Sequence, residues 1–457
     1  MKTSIIYKSA LCIICLTILA GCKKFLEEKQ NKNQVIPNTL QDAQAVLDYP
    51  RTFQNDNFLG IAWGDDYYVS EARFQALPEH SRGMYTFQRT NLYQNLSNDW
   101  QSTYERAYIA NTSLETLEKI DPSSVNQDEY NNIKGQALFL RARVFLTALH
   151  SFANIYRAET AESDLGIALR LNTNFNEPTV RLPVSECYDR VIADISESAT
   201  LLQPVQVAVT RPGKAAALGL LARTYHSMRQ YERSAEFAKL CIDQTSAKLL
   251  DYNGLTASAA FPIHQFNSEV IQEGRVSTPT LLINASVLSP KSIYDLYETN
   301  DLRKTIFFRI NNDGTIGYKG SYTGGTAYFT GLALDEIYLI RAESLARTGK
   351  TAEAMTELNT LLSFRYKRDP VTKVSTYINQ TAASPADAVS KILLERRRQL
   401  IHRGTRLYDI KKQNAEGAGI DITRNINGSA YVVKANSSGF IAPIPENIIQ
   451  LSGIPQN

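Results

Sequence analysis

The sequence of 457 residues lacks most of the spacings that announce catalysis or metal binding. Histidine is scarce, and none of His80, His150, His226, His264 and His402 stands in H-E-x-x-H or another paired ligand spacing. No G-x-S-x-G nucleophile elbow occurs. Gly349-Lys350-Thr351 imitates the end of a P-loop, but position 344 is Ser where that loop needs Gly. Gly417-Ala418-Gly419 lacks the third Gly of a dinucleotide fingerprint. No cofactor and no metal are therefore expected. Cysteine is scarce too: beyond Cys22 only Cys187 and Cys241 remain, too few for a disulfide framework. They are expected as two buried, inert thiols, with a single bridge as the alternative. Surplus charge is missing, since Lys+Arg 49 against Asp+Glu 46 gives only +3. Nothing in that balance recommends a nucleic-acid partner. No apolar run is long enough to span a bilayer. Trp is limited to 2, whereas Tyr reaches 24, and Tyr serves both cores and wet recognition surfaces.

The N-terminus reads as an address rather than as part of the fold. Lys2 and Lys8 precede a short apolar run at 10–20, which ends in Leu19-Ala20-Gly21-Cys22. That order is the pattern of a secretory signal. Its last four residues resemble the bacterial lipobox, in which the Cys is lipidated and becomes the first mature residue. Residues 1–21 are thus expected as a lipoprotein signal peptide, Cys22 as the lipidation site, 22–38 as a polar tether, and 39–457 as a single body. Acyl chains hold a soluble body at a membrane by roughly 0.8 kcal/mol per buried CH₂.

Apolar spacing of three and four predicts a mostly α body built of helix pairs near 98–156, 183–245, 331–366 and 384–412. Ile133, Ala137, Leu140, Val144, Ala148 and Phe152 follow one such face, with Asn131 or Asn132 as the expected cap. Ser384-Pro385-Ala386-Asp387 is a helix start, and Thr210-Arg211-Pro212 is read as another. Two pairs show the tetratricopeptide logic of helix, tight turn and helix: Ala222 with Ala235, and Arg341 with Ala354. Because 246–330 intervenes, the pairs do not read as one uninterrupted array. Residues 51–97 and 246–330 are expected to be irregular with minor β, and 403–457 to be loop-like.

Several stretches together resemble the SusD/RagB family of surface lipoproteins. They are Cys22-Lys-Lys-Phe-Leu-Glu-Glu, Trp100-x3-Tyr104-x3-Tyr108-Ile109-x-Asn111 and Lys134-Gly-Gln-Ala-Leu-Phe-Leu-Arg-Ala142. Ala216-Ala217-Leu218-x2-Leu221-Ala222-Arg223-x-Tyr225 and Glu336-Ile-Tyr-Leu-Ile-Arg-Ala-Glu343 follow. Glu395-Arg-Arg-Arg398, Arg403-Gly404-x-Arg406-Leu-Tyr-Asp409, Pro443-Ile-Pro445 and Pro455-Gln-Asn457 complete the order. Gln399 stands where the family commonly has an acid, and His402 stands in a variable place. The resemblance implies a SusD-like α-helical fold of four tetratricopeptide-like pairs carrying an irregular ligand-binding region. It implies an outer-membrane, surface-facing lipoprotein that captures an oligosaccharide or peptide. It further implies delivery to a SusC/RagA-like TonB-dependent channel, without chemistry of its own. The Arg and Glu of 336–343 and 395–409 are expected to pair within the scaffold.

A ligand is expected at Trp63, Asp65, Asp66, Tyr67, Tyr68 and Arg73, with Tyr85, Phe87 and Arg89 beside them. Flat rings suit sugar C–H surfaces, and carboxylates accept hydroxyl bonds. The competing reading makes Trp63 and Tyr68 core residues of an irregular loop. Tyr252, Phe261, His264 and Phe266 are secondary candidates. Trp100, Tyr104, Tyr108, Tyr225, Tyr231 and Tyr338 are assigned to the scaffold, and Tyr85, Tyr93, Tyr318 and Tyr322 to possible recognition. Two other functions compete: a tetratricopeptide adaptor that binds only proteins, and a surface glycosidase that would use a carboxylate pair such as Asp65-Asp66.

Overall fold

Helices form where the three-and-four spacing places them. The computed structural model describes residues 37–93, 98–276 and 278–457. The expected signal segment, Cys22 and all of the tether except residues 37 and 38 lie outside the described residues. Within Thr39–Asn457, which forms one compact unit, the longer helices are α1 (Leu40–Leu47), α2 (Asp99–Glu118), α3 (Gln127–Phe152), α4 (Val184–Leu201), α5 (Lys214–Ser227) and α6 (Tyr231–Gln244). Then follow α7 (Leu334–Arg347), α8 (Thr351–Leu362), α9 (Pro385–Gln399), α10 (Arg406–Ala415) and α11 (Glu446–Ser452). Four antiparallel strand pairs supply the minor β: β1 (Leu165–Ala168) with β2 (Arg181–Pro183), and β3 (Val270–Gln272) with β6 (Leu332–Ala333). The other two are β4 (Phe308–Ile310) with β5 (Ile316–Tyr318), and β7 (Ile422–Ile426) with β8 (Ser429–Val433).

Two helix starts differ from expectation. The start of α3 moves forward to Gln127, because the Asn126 side chain accepts from the Glu129 N–H at 3.0 Å and two acids face the dipole. The start of α5 is Lys214, capped by Gly213 in extended backbone, so Thr210-Arg211-Pro212 precedes the helix. Ser384 caps α9 as expected, accepting from Asp387 N–H at 3.2 Å with Pro385 in the first turn. Residues 403–457 are more ordered than a loop: they hold α10, the β7–β8 hairpin and α11.

Each helix from α2 to α8 packs on the next, and α9 packs on both α7 and α8. The stack runs unbroken from α6 to α7 although residues 245–333 separate them in the chain. Within the insert, β3 pairs with β6, which brings the chain back beside the start of α7. The insert's buried aromatic side chains join the main hydrophobic core. Tyr297, Phe307, Phe308 and Tyr318 meet edge to face or tilted, with centroids between 5.3 and 6.4 Å apart. Such pairs add about 0.5–1.5 kcal/mol each beyond the area they bury.

Buried ion pairs stitch the helices together. Arg223 of α5 grips Glu336 of α7 through two bonds of 2.8 and 2.6 Å. Glu343 of α7 bonds His226 of α5 at 2.8 Å and Lys412 of α10. The acids of 336–343 thus pair with α5 and α10, while Arg396 and Asp409 pair with each other at 2.9 Å. Burial alone would raise the Glu343 carboxyl, but Lys412 and His226 outweigh it and hold the group well below the usual carboxylate range. Gln399 earns its place as an amide: it donates to Asp335 at 2.9 Å and accepts from Arg365 at 3.0 Å. An ionised acid there could not donate. Cys187 and Cys241 are free and buried, and burial pushes their thiols up to about 11 and about 12.

His402 lies in the turn between α9 and α10, at φ 56°, rather than on a helix. Its ring packs on Tyr318 and Tyr328, and neither nitrogen has a hydrogen-bond partner among the described residues. Burial lowers its pKa from 6.5 to about 3. Between those values the unfolded chain takes up a proton that the folded chain refuses, so this group costs stability as pH falls from 6.5 toward 3. His402→Asn tolerates the left-handed backbone and does not titrate. Its melting temperature should fall less steeply than the parent's below pH 6.5, read by thermal scans across that window. A parallel acid limb in both proteins would refute the assignment. Arg223→Met strands the Glu336 carboxylate and should cost roughly 3–5 kcal/mol in urea unfolding.

Candidate functional site

The expected ligand segment folds as an internal brace. Trp63 is fully buried, donates Nε1–H to the Met84 carbonyl at 3.1 Å and meets Phe87 edge to face at 5.8 Å. Tyr67 is equally inaccessible and donates its hydroxyl to the Ala62 carbonyl at 2.9 Å. Neither ring offers a face to a ligand, which corrects the expectation for both. Asp65 is partly exposed, but Arg397 and Arg406 both bind it, the latter at 2.6 Å. Asp66 is buried; burial and then the neighbouring Asp65 charge push its carboxyl up to about 7. Tyr68 is half-buried and exchanges backbone bonds with Leu288, and Arg73 donates to the Thr280 carbonyl at 2.8 Å.

The residue that sequence reasoning missed here is Arg424 of β7. Its guanidinium lies over the rings of Tyr67 and Tyr85 at 4.3 and 4.6 Å and donates to the Tyr67 and Ala62 carbonyls. It comes from a segment read as loop, far away in sequence. Of the secondary candidates, Tyr252 is buried against Tyr322, while His264 and Phe266 sit at the surface. None of these lines the cavity that follows.

A cavity of about 710 Å³ opens instead on the outer face of α2, within the size range of small-molecule sites. Trp100 and Tyr104 form its base, with ring centroids 5.0 Å apart. One helical turn further on, Tyr108 is 41% exposed. Phe175, 78% exposed, stacks on it with centroids 5.2 Å apart and planes 23° from parallel. Gln101, Asn172, Thr173, Thr179 and Asn447 add uncharged polar groups to the wall. Tyr108 was assigned to the scaffold from its place in a helical motif. The structure turns it outward, because Ala107, Ala110 and Asn111 take the buried face of α2.

Phe175 belongs to the connection between β1 and β2, residues 169–180, and that connection is tied down at both sides. Arg170 donates to the Glu177 and Asn174 carbonyls, both at 2.8 Å. Asn172 and Asn174 side chains accept from the Asn174 and Asn176 N–H groups in successive Asx turns. Glu115 of α2 accepts from Thr173 N–H and hydroxyl at 2.7 and 2.6 Å. Asn111 donates to the carbonyls of Arg170 and Asn172 at 2.9 and 3.2 Å. Its side-chain amide oxygen accepts from Arg141 of α3, which forks onto Asp194 of α4 at 2.8 and 2.9 Å. A scaffold ion pair thus positions the exposed ring. The signal in the sequence was slight: a lone Phe in the polar run Asn172-Thr-Asn-Phe-Asn-Glu-Pro178 has no apolar neighbour to be buried with.

Residues 24–226 match the SusD-like family model described as starch-binding associating with outer membrane. No curated protein matches the chain. Among solved structures, a SusD superfamily protein from Bacteroides vulgatus superposes with a TM-score of 0.74 at 20% identity, covering 92% of this chain and 99% of that one. A SusD superfamily protein from Bacteroides thetaiotaomicron gives 0.71 at 21%, with the same coverages. A SusD-like carbohydrate binding protein from Bacteroides vulgatus gives 0.65 at 18%, covering 91% and 96%. The chain is SusD-like in sequence over 24–226 and has the SusD fold over nearly its whole length.

Asn111→Leu removes the amide that holds the 169–180 connection, leaving two carbonyls and Arg141 without that partner. Amide exchange at 172–176 should accelerate about tenfold or more, given about 1–3 kcal/mol per stranded group. Exchange unchanged at those amides would show that the connection is held by Glu115 and its own turns alone.

Proposed function

We propose that this SusD-like chain is a cell-surface binding lipoprotein, anchored through Cys22 in the outer membrane. It captures a neutral oligosaccharide and delivers it to a SusC-like TonB-dependent channel. The observation that carries the reading is the Tyr108–Phe175 pair at the mouth of the cavity. An exposed ring on a connection tied down by hydrogen bonds is costly to leave in water and gives a flat apolar face to the C–H side of a sugar. The uncharged amides and hydroxyls around it complement sugar hydroxyls. The family description, starch-binding and outer-membrane associated, points the same way.

Binding rather than hydrolysis suits the wall of this cavity. Among the described residues lining it, Glu105 is the one carboxylate, and it is engaged by Arg51 at 2.7 Å. A glycosidase needs two carboxyl groups across the scissile bond. The lipobox-like Leu19-Ala20-Gly21-Cys22 ending supports the lipid anchor, and the resemblance of the ordered motifs to the family supports the channel partner.

Protein lacking residues 1–22 should bind members of a neutral glycan panel. Phe175→Ala and Tyr108→Ala should each weaken binding about tenfold, the loss of a stacking contact worth roughly 1 kcal/mol or more. The melting temperature of Phe175→Ala should stay unchanged, since that ring is 78% exposed. Capture of peptides alone, or affinities indifferent to both substitutions, would overturn the oligosaccharide reading. Co-purification of a TonB-dependent barrel with the full-length lipoprotein tests delivery.

A further inference from the structure

We infer that the binding groove does not end at the aromatic pair but continues across Asn447 into a second, polar subsite, so that the ligand is a chain rather than a single ring or a short end. This deepens the oligosaccharide reading and rests on it. A second cavity of about 190 Å³ lies beside the first, and exposed Asn447 of α11 lines both. The two cavities therefore share a wall made by one amide side chain, which can donate to one sugar unit and accept from the next.

The chemistry of the second cavity differs from the first. Arg89, Tyr93, Glu446 and Gln450 line it beside the apolar Leu92 and Ile444. Its two charges are opposite in sign, and each is engaged by backbone. Arg89 donates to the Ser438 and Asn457 carbonyls at 3.1 and 3.3 Å, and Glu446 accepts from the Asn91 N–H at 2.9 Å. One positive and one negative group at the same cavity give it no net preference for an acidic or a basic sugar. What remains is hydrogen-bonding capacity. Gln450 is exposed, and Tyr93, only 6% exposed, has a hydroxyl with no hydrogen-bond partner among the described residues. Aromatic surface in the first cavity and uncharged polar groups in the second together fit a linear, neutral oligosaccharide that stacks at Phe175 and hydrogen-bonds at Gln450 and Tyr93.

The test uses protein lacking residues 1–22 and size-fractionated ladders from starch, xylan and mannan, from disaccharide to heptasaccharide, measured by calorimetry. Gln450→Ala and Tyr93→Phe should weaken the longer members about threefold to tenfold, as expected for a lost hydrogen bond, and leave the disaccharide unchanged. Phe175→Ala should weaken every length. If both second-cavity variants bind all lengths as the parent does while Phe175→Ala weakens them, the ligand stops at the first cavity and the inference falls alone. If Phe175→Ala binds every length normally, or no ladder binds, the oligosaccharide reading falls and takes the inference with it. Gln450 is exposed, so its variant carries the test should Tyr93→Phe fold poorly.

Discussion

A guanidinium or carboxylate taken out of water must meet its opposite, and this requirement organises the molecule. Arg223 with Glu336, Glu343 with Lys412 and His226, Arg396 with Asp409, and Arg365 with Glu269 all lie in the interior. Each joins segments that are distant in sequence or separated by a turn. Such pairs add little net stability over an apolar core, because desolvation offsets most of the attraction. What they supply is register. A helix that slides by one turn strands a charge at a cost of several kcal/mol, so these pairs hold α5, α7 and α10 in register with one another.

The same requirement reaches the surface through Arg141. Its fork onto Asp194 fixes the guanidinium between α3 and α4, and its remaining arm holds Asn111. Asn111 then holds the connection that presents Phe175. The exposed ring is therefore set by a buried charge three bonded steps away. The connection is thus ordered by its own scaffold, and a ligand that met it would not bear the entropy cost of ordering it.

The aromatic residues show where sequence reasoning succeeds and where it stops. Residues in irregular segments were expected to face a ligand, yet Tyr67, Tyr85, Tyr318 and Tyr322 are all buried. Segments without regular hydrogen bonding still need apolar side chains to pin them, and large rings do that with few residues. Tyr108 behaved in the opposite way. A helical motif fixes the spacing of its members, but the neighbours decide which of them face outward, and on α2 the inward side was already filled.

Periodicity, caps and motif order determined the helical class, the helix pairs and the SusD-like fold, because amphipathic spacing and N-cap chemistry act over a few residues. The same local logic found Ser384 as a cap and the two unpaired thiols. Tertiary structure alone decided the continuity of the stack across residues 245–333, the inward turn of Trp63, the seat of Tyr67 beneath Arg424, and the meeting of Tyr108 with Phe175. Each depends on contacts between positions tens to hundreds of residues apart. A side chain's local sequence carries no record of which distant neighbour will cover it or leave it bare.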